Sequence, residues 1–162
     1  MTPRPATPAD VSELVRVINL AYQVEAHLFI DERTSKPDVR ERLGRSNATF
    51  LAIDDDASGV PAGTLAGAVY VETNGGRGYF GMLAVDPSKQ GRGLGRALVR
   101  AAESYCAAAG CTDLDIDVVD LRTELPPFYQ ALGFTRVGAT PYAEPDKVRQ
   151  PVQLVHMTKS LV

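Results

Sequence analysis

Apolar residues near the start of the chain recur at Val11, Leu14, Val15, Ile18, Ala21 and Tyr22. This is the three-to-four spacing of a helix that buries one face, and it predicts a helix within residues 8–28, with Thr7 or Asp10 as its cap. A shorter helix is expected over 37–43, ending near Gly44. Between the two, residues 27–35 mix aromatic, acidic and basic side chains and read as a loop. The pattern then changes. Apolar runs at 49–53, 65–73 and 79–85 read as strands, and Asn74-Gly75-Gly76 between the last two is a hairpin signal. From residue 93 the helical period returns over 93–109. A strand at 114–119, a short helix at 124–132 and strands at 134–139 and 152–158 follow. The connection over 141–151 is long and polar, and it is expected to be mobile. This order predicts a mixed α/β domain, with a predominantly antiparallel sheet flanked by helices on both faces.

Length and composition narrow the classes without choosing among them. A chain of 162 residues, 44% hydrophobic and 23% charged, is expected to form one domain over 1–162 with its own core. A formal net charge of -3 gives no general attraction to nucleic acid or anionic lipid, so neither is expected as a partner. Cys106 and Cys111 are too few for a disulfide framework and lack metal-ligand spacing; they read as free thiols in a reducing compartment. No apolar stretch approaches the roughly 20 residues that span a bilayer, and Met1–Asp10 carries three prolines rather than a signal-peptide core. The expectation is a cytoplasmic protein with no metal.

The chemistry concentrates at Asp86-Pro87-Ser88-Lys89-Gln90-Gly91-Arg92-Gly93-Leu94-Gly95-Arg96, where a strand ends and a helix begins. Alternate glycines let the backbone curl and expose bare N–H groups. The helix start adds unpaired N–H groups and the positive end of its dipole. Such a turn suits a pyrophosphate, and Arg92 and Arg96 add charge. A Walker loop would require Gly-Lys-Ser/Thr. A dinucleotide fingerprint would require glycine at position 96, where Arg96 stands, and a parallel unit rather than a meander upstream.

Gln90-x-x-Gly93-x-Gly95 after a strand ending Leu83-Ala84-Val85, with Phe128-Tyr129-x-x-Leu132-Gly133-Phe134 downstream, resembles the two hallmarks of the GNAT superfamily of N-acetyltransferases. The order of elements is similar over nearly the whole chain. The resemblance implies the acyl-CoA N-acyltransferase fold and acetyl-CoA as co-substrate. It also implies transfer of an acetyl group to a primary amine of a small molecule or a peptide, by direct attack in a ternary complex. Gln90, Gly91, Arg92, Gly93, Leu94, Gly95 and Arg96 would hold the pyrophosphate. The backbone of Leu83, Ala84 and Val85 would pair with the pantetheine arm, and the strands would splay between Leu83 and Val118. A main-chain N–H near Leu83 would face the thioester oxygen. Tyr129 stands where the family places its general acid, and Phe128, which anchors the same helix, joins the cofactor-binding set. The family often has an asparagine where Arg122 stands, so Arg122 either reaches the cofactor or the acceptor in its place or turns to solvent.

The acceptor side is less defined. Glu72, at the end of a central strand, is the first candidate for the general base, with Glu25, Glu32 and His27 as alternatives. Tyr79 occupies a position where some relatives carry a glutamate, which makes deprotonation relayed through water a second route. Glu25, His27 and Glu32 lie in the segment that would border the acceptor pocket. With Phe29, Tyr70 and Tyr142 they suggest an acceptor that is cationic and partly apolar. Asp113, Asp115 and Asp117 alternate with apolar residues as a half-solvated strand does, and His156 reads as structural. The last strand, if exposed, would be an edge on which a homodimer could form. The alternative function is a non-catalytic acyl-CoA sensor or regulatory domain, against which the retention of Tyr129 argues.

Overall fold

In the computed structural model, which describes residues 1–162, the predicted alternation becomes one seven-stranded sheet between two layers of helix. The elements in chain order are β1 (Arg4–Pro5), α1 (Val11–Tyr22), α2 (Lys36–Leu43), β2 (Ala48–Asp54), β3 (Leu65–Asn74) and β4 (Arg77–Val85). They continue as α3 (Leu94–Ala108), β5 (Asp113–Val119), α4 (Leu125–Ala131), β6 (Thr135–Pro141) and β7 (Gln153–Ser160). The strand order across the sheet is β1-β2-β3-β4-β5-β7-β6, and every pairing is antiparallel except β4 with β5. No helix is long and apolar enough to cross a membrane.

Two cores follow from the two faces. On one, α1 buries Val11, Leu14, Val17 and Ile18, together with Val39 of α2, against Phe50, Tyr70 and Met82 of the sheet. On the other, α3 lays Leu94, Leu98, Val99, Ala102 and Cys106 along one stripe over Val69, Val71, Phe80 and Leu114. The approach of α3 depends on Gly78: a Cβ there would stand 2.4 Å from the Cys106 sulfur. Both thiols are buried and free, and burial pushes the Cys106 thiol up to about 12.

The one short strand absent from the sequence pattern, β1, acts as a clamp. Arg4 forks onto Asp10 at 2.9 and 3.0 Å and onto Asp54 at 2.8 and 2.9 Å, tying the start of α1 to the end of β2. Asp10 also accepts the Thr7 N–H at 2.8 Å, and the Arg4 bonds hold its carboxyl below the usual range.

Three expectations are corrected. The first helix stops at Tyr22 and tightens into a 3-10 turn over Gln23–Glu25, because Glu25 turns inward to an ion pair and Leu28 packs into a separate small cluster with Val119 and Val152. The polar connection after β6 is tied down: the N–H groups of Arg149 and Ile30 bond the carbonyls of Leu28 and Lys147 at 2.8 and 3.1 Å. The last strand is not an edge, since β7 is bonded to β5 on one side and β6 on the other. Backbone pairing of a second subunit along it is therefore closed, and β6 is the edge.

Candidate active site

The site begins where the sheet opens. β4 and β5 pair only at Arg77–Asp113, Gly78–Leu114 and Tyr79–Asp115; beyond Tyr79 each continues without the other. β5 stays bonded to β7 up to Val119, and β4 stays bonded to β3, so the gap between them is held open by both neighbours. A bulge sharpens the divergence. Met82 and Leu83 together stand opposite Val69, and Met82 has φ 52°, the left-handed region. For a side-chain-bearing residue that conformation costs on the order of 1–2 kcal/mol. Bulges of this kind re-aim a strand beside a site. Here the bulge shifts the side-chain alternation by one. Tyr79, Met82 and Ala84 face the α1 layer, while Phe80, Leu83 and Val85 face α3 and α4.

Past Val85, Asp86 caps a 3-10 turn by accepting the Ser88 N–H at 2.9 Å. Gly91 and Gly93 then take φ values of 80° and 78°, which glycine adopts freely, and α3 starts at Leu94. The first amides of α3 have no acceptor within the helix. A cavity of about 580 Å3 lies over them, lined by Gln90, Gly91, Gly93, Leu94, Gly95 and Arg96. Its opposite wall is Arg122, Leu125, Phe128 and Tyr129, with Leu83 and Val85 between the two walls. A Cβ on Gly95 would already be 3.8 Å from the Phe128 ring, so the two walls meet closely there. Arg92 does not line the cavity, and the Ala84 side chain is buried on the α1 face, leaving these two only their backbone to offer.

On the other side of the splay a larger cleft, about 980 Å3, is bounded by Tyr22, Phe29, Arg33, Tyr79, Asp117 and Tyr142, among others. The two cavities meet at Tyr22, Leu83, Leu125 and Tyr129, which line both. Tyr129 is fixed by aromatic neighbours: Phe128 at 5.0 Å, Phe134 at 5.9 Å and Phe80 at 6.0 Å between ring centroids. Its hydroxyl, like those of Tyr22 and Tyr79, makes no hydrogen bond within the chain. Burial raises all three phenols, Tyr22 to about 12 and Tyr129 further.

Among the acceptor-side candidates, Glu25, Phe29 and Glu32 line the larger cleft and His27 does not; His27 is exposed on the outer side of the loop. Phe29 packs edge-on against Tyr142 at 5.3 Å. Glu32 accepts from the Asn19 amide at 2.6 Å. Glu25 is buried and bonded to Arg122 at 2.7 Å, and Arg122 also holds Glu124 at 2.5 Å. Burial keeps the Glu25 carboxyl above its usual range despite its partner. Burial also works to lower Arg122, but two carboxylates against one guanidinium win and raise it. Arg122 is thus neither solvated nor free, but a strut between the loop after α1 and the segment before α4.

Glu72 and Tyr70 lie outside both cavities. Glu72 sits opposite Tyr79, at the end of β4 where the sheet is still closed. Its carboxylate accepts the Tyr70 hydroxyl at 2.5 Å and Arg45 at 3.3 Å, and the Tyr70 ring is buried against Phe50. The expected base therefore faces away from the opening, engaged with the end of α2. Of the three aspartates on β5, Arg77 takes Asp113 and Asp115 at 3.4 and 2.7 Å. Asp117 alone lines the cleft, and it bonds His156 Nδ1 at 2.5 Å while Thr140 meets the other ring nitrogen at 2.8 Å. The pairing of Asp117 with His156 follows from the β5–β7 register, which no single-strand pattern reveals. The convergence of Tyr22 with Tyr79 and the position of Arg33 also went unread. They depend on where the chain turns after α1.

The acetyltransferase (GNAT) family model matches residues 15–134. An IAA acetyltransferase of Azospirillum brasilense is 26% identical over 129 residues, covering 79% of this chain and 76% of that protein. A mycothiol acetyltransferase of Mycolicibacterium paratuberculosis is 35% identical over 162 aligned positions, covering 86% of this chain; the chain spans about half of that relative's length, 48%. Among solved structures, yncA from Salmonella typhimurium, described with its cofactor acetyl-CoA, superposes with a TM-score of 0.73. It is 21% identical, with 100% of this chain and 94% of that one covered, a likeness of fold.

Proposed function

The chain belongs to the GNAT family of acetyltransferases and is an acyltransferase; from that premise we propose that it moves an acetyl group from acetyl-CoA to a primary amine by direct attack in a ternary complex. The observation that carries this reading is the junction at Tyr22, Leu83, Leu125 and Tyr129, where a glycine-lined cavity and a polar cleft meet in the gap between β4 and β5. The donor chemistry of the smaller cavity fits acetyl-CoA. Bare amides at the start of α3 and the Arg96 guanidinium suit a pyrophosphate. The edge of β4 beyond Tyr79, unpaired on its β5 side, suits an amide-bearing arm. Phe128 would flank the arm.

When bound, acetyl-CoA supplies the activated acyl group. The chain's part is to orient it, with the bulge at Met82–Leu83 turning a main-chain N–H toward the acyl oxygen to stabilise the charge that develops there. The amine enters from the larger cleft. As nitrogen bonds to the acyl carbon and the carbon–sulfur bond breaks, Tyr129 donates its proton to the departing sulfur. Its hydroxyl has no competing partner in the chain, which leaves that proton available. The proton from nitrogen leaves through water in the open cleft, with Asp117 and its partner His156 as the receiving pair. Glu72 has no part in this sequence, because it is engaged outside the cleft.

A thiol-release assay with acetyl-CoA and a panel of primary amines, with mass spectrometry of the product, tests the reading. The expected result is thiol release that requires an amine and yields its N-acetyl derivative in equal amount. Tight acetyl-CoA binding with no amine-dependent release would replace the enzyme by a sensor.

A further inference from the structure

The sequence expectation for the acceptor was a cation, drawn to the acidic residues of the loop after α1. Most of the carboxylates that line the larger cleft already have a partner within the chain. Glu25 is bonded to Arg122 at 2.7 Å and Glu32 to Asn19 at 2.6 Å. Asp38 is bonded to Thr34 at 2.7 Å and Arg42 at 3.0 Å, and Glu144 to Lys147 at 2.9 Å. Asp117 is bonded to His156, and Asp31 lies near Lys147 at the exposed rim.

Of the three cations that line the cleft, Lys147 is paired with Glu144 and the two arginines are not paired with any carboxylate. Arg33 lines the cleft with no ion pair and no hydrogen bond; its guanidinium carbon stands 5.2 Å from the centroid of the Tyr22 ring. It is an exposed side chain on the wall that carries Tyr22. Arg149 lines the same cleft and uses only its Nε, on the carbonyls of Ala26 and Phe29 at 3.3 Å, leaving its terminal nitrogens unengaged. The cleft thus holds two guanidinium groups with donors to spare, and on Arg33 all of them are free.

Resting on the acetyltransferase reading above, we propose that the acceptor is an amine that also carries a carboxylate close to its nitrogen, as an α-amino acid does, and that Arg33 receives that carboxylate. A guanidinium with all its donors free offers a carboxylate two parallel hydrogen bonds. The closeness follows from Tyr22. Its ring belongs to both cavities and carries Arg33 on its face, so a carboxylate on Arg33 is held beside the junction where the amine must attack. Phe29 and Tyr142 give the far end of the cleft an aromatic wall for an apolar side chain.

The test compares kcat/KM at saturating acetyl-CoA for free apolar and aromatic amino acids, their carboxamides and the corresponding amines without the carboxyl group. The free acid should exceed its amide by roughly 10- to 100-fold, the worth of a charge-assisted hydrogen bond. Arg33→Ala should collapse the acid-to-amide ratio toward one, and Arg33→Lys should restore only part of it, because an ammonium keeps the charge and loses the fork. Arg33 is exposed and belongs to no core cluster, so both variants should fold. Amides or simple amines used as well as the acids, or a ratio unmoved by Arg33→Ala, would overturn the carboxylate inference while leaving the acetyltransferase reading intact. Failure of every amine to release thiol would remove both.

Discussion

Replacing Arg122 by alanine should unmask a carboxylate that the fold has buried. Glu25 keeps 7% of its side chain exposed and Arg122 keeps 20%, and they meet at 2.7 Å across the gap between the loop after α1 and the segment before α4. Removing one partner of a fully buried pair costs about 3–5 kcal/mol; because Arg122 retains some contact with water, about 2–3 kcal/mol is expected here. For a chain of this length that lowers Tm by about 5–10 °C near neutral pH. The loss should depend on pH in a definite sense. Burial already holds the Glu25 carboxyl above its usual value of 4.5, and without Arg122 it should rise further. A carboxyl raised on folding binds its proton more tightly in the folded chain, so stability falls as pH climbs from the ordinary carboxylate range through the folded value. Thermal unfolding followed by circular dichroism should thus show a small deficit for Arg122→Ala at about pH 4 and the full deficit at about pH 7.5. The double variant Arg122→Ala/Glu25→Gln should recover the pH-dependent part. A deficit of equal size at both pH values, or a double variant no more stable than the single one at neutral pH, would refute the account of Arg122 as a strut.

Two further outcomes follow from the packing and the phenols. Gly78→Val places side-chain atoms where the Cys106 sulfur stands, 2.4 Å from the built Cβ, and should cost about 1–3 kcal/mol by chemical denaturation, with Cys106→Ala restoring a part. Burial raises Tyr129, and a proton donor is competent below its own pKa. The pH profile of kcat should therefore show no alkaline fall at about 10, where an ordinary tyrosine titrates, and a fall centred there would mean that Tyr129 is not the donor.

Much of the architecture was legible because two periods are hard to confuse. The apolar runs at 65–73 and 79–85 predict strands of a covered sheet, the helical stripe from Leu94 to Cys106 predicts one buried face, and the sheet and α3 meet both expectations. The glycine turn was legible for a similar reason: positive φ at Gly91 and Gly93 is a backbone demand that the residue type declares. The bulge at Met82 could not be seen, since a methionine in the left-handed region looks like any strand methionine. Glu72 was misread because strand position alone does not say where the sheet opens. That depends on β4 and β5 parting after Tyr79, well before either strand ends. The partners of the loop's carboxylates could not be read either: Glu25 meets Arg122, distant in sequence, and Glu32 meets Asn19 on the preceding helix.

The central claim is that Tyr129, at the junction of the two cavities, gives its proton to the leaving sulfur. Tyr129→Phe keeps the ring and its packing against Phe128 and Phe134 and deletes only the hydroxyl. Steady-state kinetics with the best acceptor, set beside calorimetric titration with acetyl-CoA, separates the roles. The account predicts that kcat falls by about 10²- to 10⁴-fold while the Kd for acetyl-CoA stays within about threefold of the unmodified enzyme, a difference under 1 kcal/mol. Undiminished turnover, or a loss that appears wholly as weaker acetyl-CoA binding, would contradict it.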